Sequence, residues 1–299
     1  MNTVSYICRK TGERCTESVM GDGALKFAYE TALGRTLWCI LFRNGWLSDL
    51  MGRYYDSPRS KKSIQSLISI PGCNAAEAEK EIAEYQSFNE FFTRHLKPGA
   101  RPYPADESVF VSPGDGRLLV YPSLQANDPI PVKGAKRTLA ELCCNDLPDG
   151  EYAVAVLRLA PVDYHRYHYP CACEQKEMPL RVPGKYHSVN PIALKKRPDL
   201  YVENARCITK LESERFGTVR FLEVGAFGVG TIVETGGTGT HAKMDEKGYF
   251  KFGGSTVVLI MEKAKFQFDD DLLRNSAESC ETLIKCGESI GFMAKNTIK

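Results

Sequence analysis

No apolar run in this 299-residue chain approaches the roughly 18–20 residues that a membrane-crossing helix needs. Nor is there an excess of positive charge: 39 Lys and Arg against 37 Asp and Glu leave +2, too little for the basic face of a nucleic-acid binder. No secretory leader is expected, because MNTVSYICRKTGERC is polar and charged where an apolar segment would be required. The eleven cysteines are odd in number and irregularly spaced. They are therefore expected to be reduced thiols in a cytosolic compartment. Internal repeats and low-complexity tracts are absent, and histidine is scarce, with five residues. What remains is an ordinary globular composition, 43% hydrophobic and 25% charged, in a 33.3 kDa chain able to bury a large core.

Two textures divide the chain. Residues 1–100 read as a helical, membrane-associating region. Leu33, Leu37, Ile40, Leu41, Leu47, Leu50 and Met51 recur at helical spacing. Ser57-Pro58 is a cap and first-turn pair for a helix carrying Ile64, Leu67 and Ile68. Asn74 precedes a third helix, with Ala78, Ile82, Tyr85, Phe88 and Phe92 on one face and Glu77 near its start. LKPGARPYP (96–104) ends this region. Residues 101–299 read as β-rich, with short runs such as YAVAVLRL (152–159), TVRFLEVGA (218–226) and GYFKFGGSTVVLIME (248–262). Only TLAELCC (138–144) looks helical between them, so the fold class is α+β with a mostly antiparallel sheet. Asp269 to Lys299 reads as a polar, peripheral tail.

Chemistry concentrates in three turns. PVDYHRYHYP (161–170) carries His165 and His168, which can exchange protons near neutrality or serve simply as polar loop residues. Zinc is weighed against them: His165, His168, Cys171 and Cys173 are crowded into one segment, unlike the separated knuckles of structural sites, and no metal is expected. Asp115 lies between two glycines in VSPGDGRLLV, where a hairpin turn alone would account for it. With His168 and Ser255 it completes a carboxylate–imidazole–hydroxyl set. FGGSTVVLIMEK (252–263) is neither a G-x-S-x-G elbow nor a phosphate loop, since position 257 is not glycine and no Lys or helix follows. One reading accounts for the glycines and the serine together. The Ser255 hydroxyl attacks the Gly254 carbonyl, the resulting ester eliminates, and a pyruvoyl electron sink remains.

These residues resemble the phosphatidylserine decarboxylases. The resemblance runs through YYDSPRSKKSIQ (54–65), FNEFFTRHLKPGARP (88–102), SPGDGR (112–117), APVDYHRYHYP (160–170), YHSVNP (186–191), LYVENAR (200–206), VGAFGVGTI (224–232) and KGYFKFGGSTVVL (247–259). It implies that Asp115, His168 and Ser255 form a self-processing triad, with Asp115 orienting His168, and that His165 assists decarboxylation. It implies cleavage between Gly254 and Ser255, giving a large chain (1–254) and a small chain (255–299) headed by the pyruvoyl cofactor derived from Ser255. The substrate phosphatidylserine would form a Schiff base, lose carbon dioxide and leave as phosphatidylethanolamine. His187, Ser188 and Asn190 resemble the family's substrate-pocket loop. Many members have Leu where this chain has Gly253.

A lipid substrate implies attachment at a membrane surface, expected at the cytoplasmic face of the cell membrane. LWCILF with Trp46, Leu47 and Met51, near Lys26, Arg35, Arg43 and Arg53, offers an interfacial surface, or else a helix packed on the core. A homodimer stays open. Two other readings remain at this point: a serine hydrolase using Asp115, His168 and Ser255 without chain cleavage, and an inactive lipid-binding homologue.

Overall fold

Alternating apolar residues force the central strands to bury both faces. Along Ser255–Glu262, Val257, Leu259 and Met261 enter one core, while Val258 and Ile260 enter another. The computed structural model describes residues 5–17, 46–130, 132, 134–185, 187, 191–225, 231–253 and 255–294. Among these, ten strands run in the order Gly239–His241, Cys173–Gln175, Arg206–Ser213, Gly217–Gly225, Ser255–Glu262, Glu151–Leu159, Gly116–Gln125, Glu281–Ile284, Ser5–Cys8 and Arg14–Thr16. An eleventh, Leu180–Val182, joins beside Arg206–Ser213. All neighbours are antiparallel except Ser5–Cys8 with Glu281–Ile284. The α+β expectation holds.

Two three-stranded sheets accompany it: Ile232–Glu234, Glu246–Phe250 and Arg166–His168, then Phe266–Phe268, Ser289–Met293 and Val109–Val111. Tyr167 and Phe250 of the first share a core with Phe221, Leu157 and Leu259 of the large sheet. A helix and loop layer with Leu139, Leu142, Leu200 and Tyr201 covers the other face. The third core, Ile64, Leu67, Tyr85, Phe88, Phe91 and Phe92, closes on Ala160 and Val162.

Three sequence expectations are corrected. Residues 5–16 are not part of a helical region but form the last two strands at one end of the large sheet. The helix predicted from Asn74 is broken into single turns, Ala75–Glu77 and Ile82–Glu84, before a short helix, Phe88–Phe92, capped by Ser87. Ala78, Tyr85, Phe88 and Phe92 are buried by tertiary packing of these turns rather than by one helical face, Ile82 is exposed, and Glu77 reaches Arg101 at 2.8 Å. The C-terminal segment is not peripheral: Glu281–Ile284 pairs inside the large sheet, and Ile284, Cys286 and Ile290 are buried. Of the predicted interfacial surface, Trp46–Asp56 is helical with Leu50 and Tyr54 exposed, whereas the LWCILF run lies outside the described residues. No described helix is long and apolar enough to cross a membrane.

Between the layers lies a buried charge cluster. Lys247, fully buried, donates to Glu223 at 2.6 Å and Glu234 at 2.9 Å, beneath the rings of Phe221 and Tyr167. Burial pushes the Glu223 carboxyl up to about 7 against the pull of Lys247, while the two carboxylates outweigh burial and hold Lys247 as the ammonium ion.

Candidate active site

Ser255 begins the strand that the sheet holds most firmly, paired with Gly225 on one side and Leu159 on the other. Side chains alternate along a strand, so Ser255 faces the same core as Val257 and Leu259. Its hydroxyl is buried and has no hydrogen-bond partner among the described residues. Gly254 lies outside the described residues, but Gly253 has φ +149°, a backbone that side chains avoid. Glycine in place of the Leu of many relatives thus suits the local backbone.

The segment before the serine is gripped from the helical part. Asn89 accepts from the Phe252 N–H at 2.9 Å and donates to Asp56 at 2.9 Å, while Lys251 donates to the other Asp56 oxygen at 2.9 Å. The Phe252 ring sits among Tyr55, Phe88 and Phe92, and Phe92 lies over the His165 ring with centroids 3.9 Å apart.

The two histidines of the DYHRYH segment part company. His165, like Tyr167 two residues on, faces the large sheet, and Phe250 donates its N–H to the His165 carbonyl. His165 Nδ1 is 3.0 Å from the Asp163 carbonyl, which can only accept, so Nδ1 carries the proton and Nε2 a free lone pair. That Nε2 is buried and unpartnered. Burial pushes the imidazole down to about 3, which keeps it neutral. Asp163 fixes the turn, accepting from the Ala160 N–H at 2.7 Å and from Arg117.

His168 points the other way, into a cleft of about 360 Å³ shared with His95, Lys97, Arg101, Tyr103 and Lys243. Its Nδ1 donates to the Met244 carbonyl at 3.0 Å and its Nε2 accepts from Tyr164 at 3.2 Å. Burial lowers its pKa also. The expected contact between Asp115 and His168 is not made. Asp115 instead accepts from Arg101 (2.8 and 2.7 Å), Lys285 (2.9 Å) and the Cys286 N–H (2.9 Å). Burial alone would push this carboxyl up, but Arg101 and Lys285 outweigh it and hold it below the usual range. The neighbouring Gly116 leaves no room for a side chain: a Cβ would stand 2.6 Å from the Arg158 carbonyl oxygen.

Ser188 and Asn190 of the predicted pocket loop lie outside the described residues, but His187 is buried. Asn204 accepts from the His187 N–H and donates to the carbonyls of His187 and Gly225, both at 2.8 Å. The loop is thereby tied to the residue opposite Ser255. Burial, then Arg197 beside it, pushes the His187 imidazole down to about 4. Sequence reasoning overlooked Asn89, Asp163, Arg117, Tyr164 and Asn204. All five lie inside motifs already noted (FNEFFTR, DYHRYH, SPGDGR and LYVENAR), yet nothing in residue type marked them.

The family model for phosphatidylserine decarboxylase matches residues 88–292. A protein of Fusobacterium nucleatum named phosphatidylserine decarboxylase proenzyme is 40% identical over 294 residues, covering 96% of this chain and 97% of its own. A protein of the same name from Clostridium botulinum is also 40% identical, over 96% of this chain and 99% of its own. One from Chlamydia pneumoniae is 39% identical over the full length of both. By the family match and by identity along nearly its whole length, this chain belongs to the phosphatidylserine decarboxylase family.

Proposed function

We propose that the chain is a proenzyme that cuts itself between Gly254 and Ser255 and then decarboxylates phosphatidylserine to phosphatidylethanolamine. One observation carries the self-processing step. Ser255 Oγ and His165 Nε2 are both buried, both without a partner among the described residues, and borne by layers that face one another. A hydroxyl without an acceptor and a neutral imidazole with a free lone pair are the two groups that general-base catalysis brings together.

In this reading His165 takes the Ser255 proton as Oγ adds to the Gly254 carbonyl. The proton returns to the leaving amide nitrogen, leaving an ester and a free amine. Loss of the Ser255 Cα proton then breaks the Cβ–O bond, and Gly254 departs as a carboxylate. The dehydroalanine left behind tautomerises and is hydrolysed, releasing ammonia and leaving a pyruvoyl group. That group supplies an electron sink for the carbon–carbon bond that breaks when carbon dioxide leaves. The buried Ser255 position suits such a group because bulk water is kept away. Arg117 and Asp163 hold the His165 turn. His165 is also assigned to proton transfer in decarboxylation, and His187, Ser188 and Asn190 to the substrate pocket. Action on a phospholipid further requires attachment to a membrane surface, here assigned to the cytoplasmic face.

Intact-mass analysis tests the reading. The purified protein should contain chains of 254 and 45 residues, roughly 28 and 5 kDa, the smaller one blocked to Edman sequencing. Ser255→Ala should remain one 33.3 kDa chain. An uncut wild-type chain whose Ser255 is labelled by a fluorophosphonate would favour the hydrolase instead.

A further inference from the structure

We infer that Asn89, with Asp56 and Lys251, is a latch that positions the scissile peptide for attack. This deepens the self-processing reading and rests on it. The peptide bond to be cut has unequal support on its two sides. Downstream, Ser255 is fixed by ladder pairing on both edges of its strand. Upstream stand two consecutive glycines, Gly253 and Gly254, the residues with the widest backbone freedom. Left to themselves they would let the Gly254 carbonyl turn through many orientations, and intramolecular attack depends on holding the reacting atoms close to one geometry.

The last fixed point before the glycines is Phe252. Its N–H is held by the side-chain oxygen of Asn89, itself buried in the Phe88–Phe92 helix. Asn89 cannot rotate to present its nitrogen instead, because that amide nitrogen is committed to Asp56. Asp56 is in turn held by Lys251, the residue preceding Phe252, so the arrangement closes into a ring of three side chains and one peptide. The aromatic pocket of Tyr55, Phe88 and Phe92 fixes the Phe252 ring from the other side. Pairing of Phe250 with the His165 carbonyl ties the same segment to the proposed base. Latch and base thus hold the same segment, which leads through two glycines to the bond to be cut. Asn89 is a positioning residue: it acts through Phe252 and touches no reacting atom.

The test follows newly made, pulse-labelled chains from uncut to cut on denaturing gels, with and without hydroxylamine, which cleaves an accumulated ester. Asn89→Leu should slow processing at least about tenfold, the cost of a lost buried hydrogen bond carried into the rate. Hydroxylamine should not restore it, because the ester itself would form slowly. The double variant Asn89→Asp with Asp56→Asn exchanges donor and acceptor and should return the rate to within about threefold of wild type. Thermal unfolding of the same variants in the Ser255→Ala background separates positioning from stability: the rate should fall even where the unfolding temperature is unchanged. Should Asn89→Leu not fold, the half-exposed Lys251→Gln carries the test, with a slowing of about two- to threefold expected. Wild-type processing rates in Asn89→Leu, or in Lys251→Gln if that variant alone can be made, would overturn the latch. A wild-type chain that never cuts would overturn the self-processing reading instead.

Discussion

His165→Gln is expected to leave nearly the whole chain uncut, whereas His168→Gln should still yield two chains. Removal of a general base costs typically about 10²–10⁴-fold in rate. Among the described residues, His165 alone of the pair has a ring nitrogen without a partner; the His168 ring nitrogens are both engaged, with Met244 and Tyr164. pH gives a second readout with a definite sign. Burial depresses His165 to about 3, so the base stays neutral and competent as pH falls from 8 to 5. An ordinary histidine would lose its lone pair near pH 6.5 and the rate would fall with it. Processing that drops steeply between pH 7 and 6 would exclude His165 as drawn. Uncut His168→Gln alongside cut His165→Gln would restore the triad implied by resemblance alone.

Lys247→Met should destabilise the protein by about 3–5 kcal/mol, the usual consequence of leaving a buried partner charge uncompensated. Among the described residues, the ammonium is the one cation hydrogen-bonded to Glu223 and Glu234, and all three side chains are almost wholly buried. The effect should depend on pH. The folded-state pKa of Glu223 is raised to about 7, above an unfolded value of about 4.3. Between those values the folded chain holds a proton that the unfolded chain has released, so this group's contribution to stability falls as pH rises through the window. Without Lys247 the carboxylate is still harder to form, and the loss should extend to higher pH. Urea midpoints of Ser255→Ala chains at pH 6 and 8 would measure it. Adding Glu223→Gln should recover part of the loss. A Lys247→Met chain as stable as its parent at both pH values would show that the cluster contributes nothing.

The local sequence determined a good deal. Alternating β-branched and aromatic residues in YAVAVLRL and TVRFLEVGA specify strands because burial on a pleat has period two, and both form within a residue or two of the expected ends. The Gly-Gly-Ser-Thr junction, Asp115 and the two histidines were visible as chemistry because their side chains are rare and lie in turns. Sequence could not assign those side chains to faces. His165 and His168 are three residues apart, and only the extended strand between them, with its two sides meeting a core and a cleft, separates a free base from one already bonded. Asp115 appeared to suit a histidine, yet Arg101 and Lys285, 14 and 170 residues away along the chain, take its oxygens. Long-range partners of this kind leave no periodic trace. The same holds for residues 5–16 and 281–284, too short and polar to announce that they would close the large sheet. Composition and spacing thus determined what chemistry this chain carries; strand pairing decided which side of each strand can use it.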